Sequence, residues 1–228
     1  MMNASTFQEA PRLLTSILAS REKRCLVWLA ERMPSRVNSD HLTLLALVSM
    51  ALAGLSYWLA SFTRAGLVAA IACLALNWFG DSLDGTLARV RHAERPRYGF
   101  YVDHVLDAVG TLFLVAGLGA SGYMSPLVAL GLLVAYYLLS IEVYLATHTL
   151  CAFRISFWGV GPTELRILLA IGNLVLLIHP TVDIAGHPYR LFDVGGMVGI
   201  AGLLATFLVS AARNTCALYR AEPLNRRR

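Results

Sequence analysis

The sequence predicts an all-α integral membrane protein, with six transmembrane helices preceded by a cytoplasmic amphipathic interfacial helix. Three observations point to it. The 228-residue chain is 57% hydrophobic. Only 14% of it is charged, against the roughly 25% usual in soluble domains. Several apolar runs reach the roughly 20 residues needed to cross a hydrocarbon core. One compact bundle accounts for the chain, and no second sizeable soluble domain fits beside it.

Residues 1–38 read as a cytoplasmic arm. It has no short apolar segment followed by a small-residue cleavage site, so a removable signal peptide is not expected. Residues 8–33 have the pattern of an amphipathic juxtamembrane helix lying on the membrane. Leu14, Ile17, Leu18, Cys25, Trp28 and Leu29 recur near helical spacing among Arg21, Lys23, Arg24 and Arg32. Pro34 breaks that helix, and Ser39 or Asp40 is the expected cap of the next. Six spans then follow at about 41–61, 65–90, 99–120, 125–149, 161–180 and 191–217. Residues 39–217 thus form the transmembrane domain, and 218–228 a basic cytoplasmic tail. The segments "ASGYMSP" and "HPTVDIAGHPYR" read as turn-rich connectors on one side. In the last span Gly195, Gly196 and Gly199 permit close helix contact, within the bundle or between two copies in a homodimer.

Every Lys and Arg except Arg64 and Arg190 falls on one side of this topology. The positive-inside rule makes that side cytoplasmic, with both termini and the turn between spans two and three. In a bacterium the membrane would be the plasma or inner membrane. Topology therefore accounts for the net charge of +5. Nucleic-acid binding would need a soluble basic face with stacking aromatics, which this sequence lacks. Cys25, Cys73, Cys151 and Cys216 have neither metal-ligand spacing nor a compact disulfide framework.

The stretch from Gly80 to Gly110 carries Asp81, Asp84, Asp103 and Asp107 at the ends of apolar runs. At 100° per residue, Asp84, Gly85 and Ala88 all fall within about 60° of Asp81. Gly99, Asp103 and Asp107 recur every four residues and form a matching stripe on the next helix. Four converging carboxylates near a membrane repel one another and are poorly solvated. Partial protonation or bound divalent cations relieve that. Oxygen ligands without His or Cys favour Mg²⁺, or Mn²⁺ or Ca²⁺, over zinc. Gly85, Ala88 and Gly99 leave room beside a metal for something flat or bulky, and Arg89 can neutralise phosphate. Together they suggest phosphoryl transfer from a diphosphate donor.

The pattern Asp81-x2-Asp84-Gly85-x2-Ala88-Arg89-x9-Gly99-x3-Asp103-x3-Asp107 resembles the complete motif of the class I CDP-alcohol phosphotransferases (CDP-alcohol phosphatidyltransferases). The six-span layout behind an amphipathic helix is similar too, so the resemblance covers about residues 8–217. It implies that Asp81, Asp84 and Asp103 ligate a pair of divalent ions, Mg²⁺ or Mn²⁺. Asp107 would complete that site and act as general base on the acceptor hydroxyl. Gly85, Ala88 and Gly99 would admit the cytidine and its ribose, with Arg89 near the donor phosphates. The implied reaction transfers a substituted phosphate from a CDP-linked donor to an alcohol, releasing CMP, in phospholipid biosynthesis. The short six-span form favours CDP-diacylglycerol over a CDP-headgroup acting on a lipid hydroxyl. Glycerol phosphate, inositol phosphate, serine and unusual alcohols all stay open as acceptors.

A second constellation lies in "FRISFWGVGPTELRILL", where Gly161-Pro162-Thr163 reads as a turn into a helix. Arg154, Glu164, Arg166 and, from the last span, Arg213 are candidates for an acceptor site. Basic clusters in the inositol-phosphate-using branch of the family resemble them. Positive-inside anchors and a capping pair are the plainer reading. In "SIEVYLATH", Glu142 either shapes the acceptor pocket or packs against a Tyr or Ser, and His148 is weak ground for catalysis. Asn77 and Trp78 either line the donor site or pack in the membrane. A divalent-cation carrier would instead need acids near the bilayer midplane with a polar path on the outer side, which the sequence does not offer. An inert membrane scaffold would not need four intact aspartates.

Overall fold

The computed structural model describes residues 12–13, 19–150, 153–154 and 161–222. Among them are seven helices: α1 (Ala19–Arg32), α2 (Ser39–Ala60), α3 (Ala65–Val90), α4 (Pro96–Ala120), α5 (Pro126–Leu150), α6 (Pro162–Leu176) and α7 (Leu191–Ala221). Two short strand pairs complete the described chain. β1 (Arg12–Leu13) runs parallel to β2 (Phe153–Arg154), and β3 (Thr181–Ile184) forms a hairpin with β4 (His187–Arg190).

Five helices, α2, α3, α4, α5 and α7, are long and apolar enough to cross a membrane. Large apolar side chains such as Leu44, Leu112, Leu130 and Leu208 stay on their outer surfaces. In water such a surface would be costly; in lipid it is the expected one. The protein is therefore an integral membrane protein. The expected fifth span, 161–180, is not among these five. Helix α6 has 15 residues, not the 20 of 161–180, and rises about 22 Å, short of a full crossing. The apolar pattern continues past Leu176, but Pro180 disfavours helix at the residue before it, and the chain turns at Leu177–Ile178. The connector after it is a hairpin whose two-residue turn, Ala185–Gly186, has φ of 52° and 83°. Positive φ at both positions is the type I′ geometry that matches strand twist.

The packing rests on glycines where helix backbones touch. A Cβ built on Gly117 of α4 would run into the Gly54 carbonyl of α2, and one on Gly54 into the Phe113 carbonyl. Gly80 of α3 is equally tight, with its Cβ position 2.6 Å from the Leu42 carbonyl oxygen. Such small-residue contacts replace the hydrophobic drive that lipid removes. Around them Ala53, Tyr57, Leu67, Leu74, Leu114 and Leu118 form the main core. Between α7 and α5, Gly196 and Gly199 make room instead for the Val128 and Leu132 side chains, whereas a Cβ on Gly195 would meet open space.

The expected helix over 8–33 is described from Ala19 to Arg32, with Arg12–Leu13 in β1, while Leu14, Ile17 and Leu18 lie outside the described residues. Of the expected apolar stripe, Cys25 and Trp28 are exposed and Leu29 is partly buried. A second face of α1 packs on the bundle, where Leu26 and Ala30 meet Leu42, Leu83 and Leu87. Trp28 remains exposed, with the Arg32 guanidinium 4.2 Å from its ring centre. The cap of α2 is Asn38, in place of Ser39 or Asp40. Its Oδ1 accepts from His41 N (3.0 Å), and His41 Nδ1 accepts from Asn38 N (3.3 Å). The two expected caps have other partners, since Ser39 donates to the Asp84 carbonyl and Asp40 pairs with Arg95.

The glycine contacts give a direct test. Replacing Gly117 with Ala should cost about 1–3 kcal/mol, because backbone on both sides must move. Gly202→Ala, where a Cβ meets nothing within 4 Å, should be neutral or slightly stabilising. Thermal unfolding of the two variants in detergent measures the difference.

Candidate active site

Asp81 and Asp84 sit in the last turns of α3, and Asp103 and Asp107 in the first turns of α4. Both helices are fixed to α2 by the glycine contacts above, so their carboxylate-bearing ends converge. Asp81, Asp103 and Asp107 each offer an oxygen within 4.8 Å of the others. All three are half-buried. Three hard carboxylate donors at that spacing, with no His or Cys, fit a hard divalent cation. Divalent charge is also what relieves their mutual repulsion.

Asp84 shares a small cleft with the triad, but stands outside it as a ligand set. Its Oδ2 accepts from Thr43 Oγ1 at 2.7 Å, its Oδ1 from the Gly85 amide, and its carbonyl from Ser39 Oγ at 2.7 Å. Helix α2 thereby fixes the Asp84 carboxylate. Gly85 and Gly99, unlike the packing glycines, have no backbone against them. A Cβ on Gly85 would meet only the Arg89 guanidinium, at 3.5 Å, and one on Gly99 nothing within 4 Å. Their lack of side chain leaves free space on the site side. Arg89 donates to Thr86 Oγ1 (3.1 Å), and it lines that space together with Ala88.

The space belongs to a cavity of about 1850 Å³. It runs from the aspartates between α6 and α7, past Leu168, Val175, Phe192, Val198 and Leu203. Gly195 and Gly202 open onto it. Its polar end holds Lys23, Arg95, His104 and Arg166 beside the carboxylates. Tyr136 and Thr111 line it near Asp107, and Tyr137 Oη donates to the Ala108 carbonyl (2.9 Å), tying α5 to α4 there.

The second constellation separates. Arg166 reaches the acidic centre: Nη2 donates to Asp81 Oδ2 at 2.6 Å and Nε to Asn77 Oδ1 at 2.8 Å. Glu164 folds back to accept from the Gly161 amide (2.9 Å), the capping arrangement at the start of α6. Arg213 is exposed on α7, and the side chain of Arg154 lies outside the described residues. Glu142 is buried and turns to α7, accepting from Ser210 Oγ (2.9 Å) and Asn214 Nδ2 (2.6 Å). His148 is exposed.

Three further contributors stand beside the acids: Asn77, open above between lining the donor site and packing, and Thr43 and Glu22, which were not evident as site residues. Asn77 is buried and bridges α2 to α6, donating to the Ala46 carbonyl at 3.0 Å while holding Arg166. Its one signal is a lone amide in an apolar run. Thr43 carries no such signal, because its importance depends on which helix face meets α3. Glu22 was hidden in a charged arm. Its Oε1 accepts from Trp78 Nε1 (2.7 Å), Ser82 Oγ (3.5 Å) and Thr163 Oγ1 (2.7 Å), locking α1 to α3 and α6.

A helical membrane protein with an acidic, metal-competent centre at the mouth of a long apolar cavity is the class these features define. A family model described as CDP-alcohol phosphatidyltransferase matches residues 37–209, and the chain belongs to that family. It is an enzyme of that transfer reaction, a transferase of the phospholipid-synthesis family, which implies a CDP-linked donor and an alcohol substrate. The acidic triad is consistent with the metal site such an enzyme needs. No individually curated protein matches the chain.

Thr43→Val tests the role of α2. Removing the hydroxyl takes one partner from the Asp84 carboxylate, and activity should fall by about 10–100-fold. Unfolding free energy should change by no more than about 1.5 kcal/mol. Gly85→Val should likewise keep its melting temperature but lose nucleotide binding, measured by retention on immobilised CDP.

Proposed function

We propose that the protein transfers a phosphatidyl group from CDP-diacylglycerol to a small polar alcohol, with Mg²⁺, and releases CMP. The observation that carries this reading is the apolar cavity between α6 and α7 that ends at the triad. With a CDP-headgroup the donor would take only the polar end, and the lipid acceptor the apolar one. A lipid-linked nucleotide fills both: cytidine and diphosphate in water, acyl chains along Leu168, Val175, Val198 and Leu203. The placing of Lys and Arg residues supports a cytoplasmic mouth, where CDP-linked donors and Mg²⁺ are available.

Asp81, Asp103 and Asp107 would hold the metal in this reading, with Asp84, oriented by Thr43, as a further ligand beside them. When bound, Mg²⁺ supplies neutralisation of the diphosphate and polarisation of the phosphorus under attack. The residues of the chain do the rest. Gly85, Ala88 and Gly99 give the cytidine and ribose space, and Arg89 offsets phosphate charge. Asp107 accepts the proton of the acceptor hydroxyl. The hydroxyl oxygen bonds to the lipid-bearing phosphorus, the bond to the bridging oxygen breaks, and CMP departs with that oxygen. Of the expected acceptor cluster, Arg166 keeps that assignment, because it lines the cavity beside Asp81. Glu142 and Glu164 serve helix packing and capping.

Purified protein with Mg²⁺ should release CMP from CDP-diacylglycerol when given one member of a panel of glycerol phosphate, inositol phosphate, inositol and serine. CMP formed only from a CDP-headgroup with diacylglycerol would reverse donor and acceptor. Asp107→Asn should lower kcat by about 10²–10⁴-fold, the usual worth of a positioned base. Undiminished turnover in that variant would remove the proton-transfer role.

A further inference from the structure

We propose that Arg166 is a built-in counter-cation of the acidic centre, which competes with the divalent metal for the Asp81 carboxylate and thereby sets how tightly the metal is held. The ion pair is direct, with Arg166 Nη2 2.6 Å from Asp81 Oδ2. It is also sheltered: the two side chains are 16% and 19% exposed, so water and salt screen it little. Asp81 is one of the three residues whose oxygens converge within 4.8 Å. A positive charge on one of its oxygens opposes a dication approaching the same three.

The arginine is held there by a second partner. Its Nε donates to Asn77 Oδ1, and Asn77, at 3% exposure, is itself pinned by donating to the Ala46 carbonyl. Two adjacent donor atoms of one guanidinium are thus shared between an amide from the membrane interior and a carboxylate of the centre. That planar fork fixes orientation in a way a lysine ammonium cannot. The start of α6 that carries Arg166 is tied in turn to α1 and α3 by Thr163 donating to Glu22. Arg166 therefore stays at the centre without relying on Asp81 alone. Metal affinity is moderated because the dication must loosen a bond already made.

The inference rests on the triad being the metal site, and the experiment separates the two. Mn²⁺ binding to the detergent-solubilised full chain is followed by electron paramagnetic resonance of free Mn²⁺, without nucleotide. Wild type should bind Mn²⁺ and Asp103→Asn should not. Binding unaffected by Asp103→Asn, or none in wild type, overturns the metal site and this proposal with it. With that control satisfied, Arg166→Met should bind Mn²⁺ about tenfold more tightly, through loss of a unit charge from a poorly screened centre. Arg166→Lys, which keeps the charge, should stay near wild type. An affinity unchanged or weakened in Arg166→Met overturns the proposal while leaving the metal site standing. If Arg166→Met does not fold, Asn77→Ser decides by the same rule, with a smaller gain expected because the guanidinium is loosened and still present.

Discussion

Carboxylates in a thin polar layer between helices are the constraint around which this protein is organised. Each of Asp81, Asp103 and Asp107 would be costly on a lipid-facing surface. Turned inward within 4.8 Å of one another, they are costly for a different reason, mutual repulsion. The surrounding structure answers that second cost. Arg166 comes from α6 and Asn77 from α3, while α2 supplies Thr43 and Ser39 for the neighbouring Asp84. The elements that hold the acids are also those that make them tolerable.

Backbone contact at glycine sets the geometry. Because Gly54 and Gly117 leave no space between α2 and α4, and Gly80 none between α3 and α2, the two acid-bearing helices have little freedom to slide. Sliding by one residue would turn an aspartate through about 100° and out of the cluster. Elsewhere the same residue type does the opposite. Gly85, Gly99, Gly195 and Gly202 face open volume. One amino acid thus serves contact at some positions and vacancy at others, even on the same helix, and only the environment separates the two uses.

What could be read from the sequence followed the range of each interaction. Asp81, Asp84, Asp103 and Asp107 share helical period and motif, so their convergence needed no tertiary detail. Arg166 was placed near a substrate by charge and by its position at a helix start, but its partner lies 85 positions away in the chain. Glu164 has a partner three residues back, the Gly161 amide, a capping contact that the local sequence already suggests. Glu142 could be seen as an inward acid without revealing that Ser210 and Asn214 of α7 would satisfy it. The length of α6 was overestimated because apolar residues continue beyond the point where Pro180 stops the helix. Thr43 and Glu22 depend on which faces of α2 and α1 meet α3, and hydrophobic pattern does not encode the identity of a neighbour.

If the donor is the proposed lipid-linked nucleotide, the apolar cavity between α6 and α7 has a consequence for how substrate is counted. A two-chain lipid drawn from water would have to regain about 0.8 kcal/mol for every methylene it buries. A lipid that slides from the bilayer into an apolar slot regains almost none of this, since its tails exchange one hydrocarbon surrounding for another. Saturation would then track the mole fraction of donor lipid in the membrane, and total concentration in solution would matter little. Diluting the same amount of donor with inert lipid would slow the enzyme as though substrate had been withdrawn. Bilayer composition becomes, in that setting, part of the rate law.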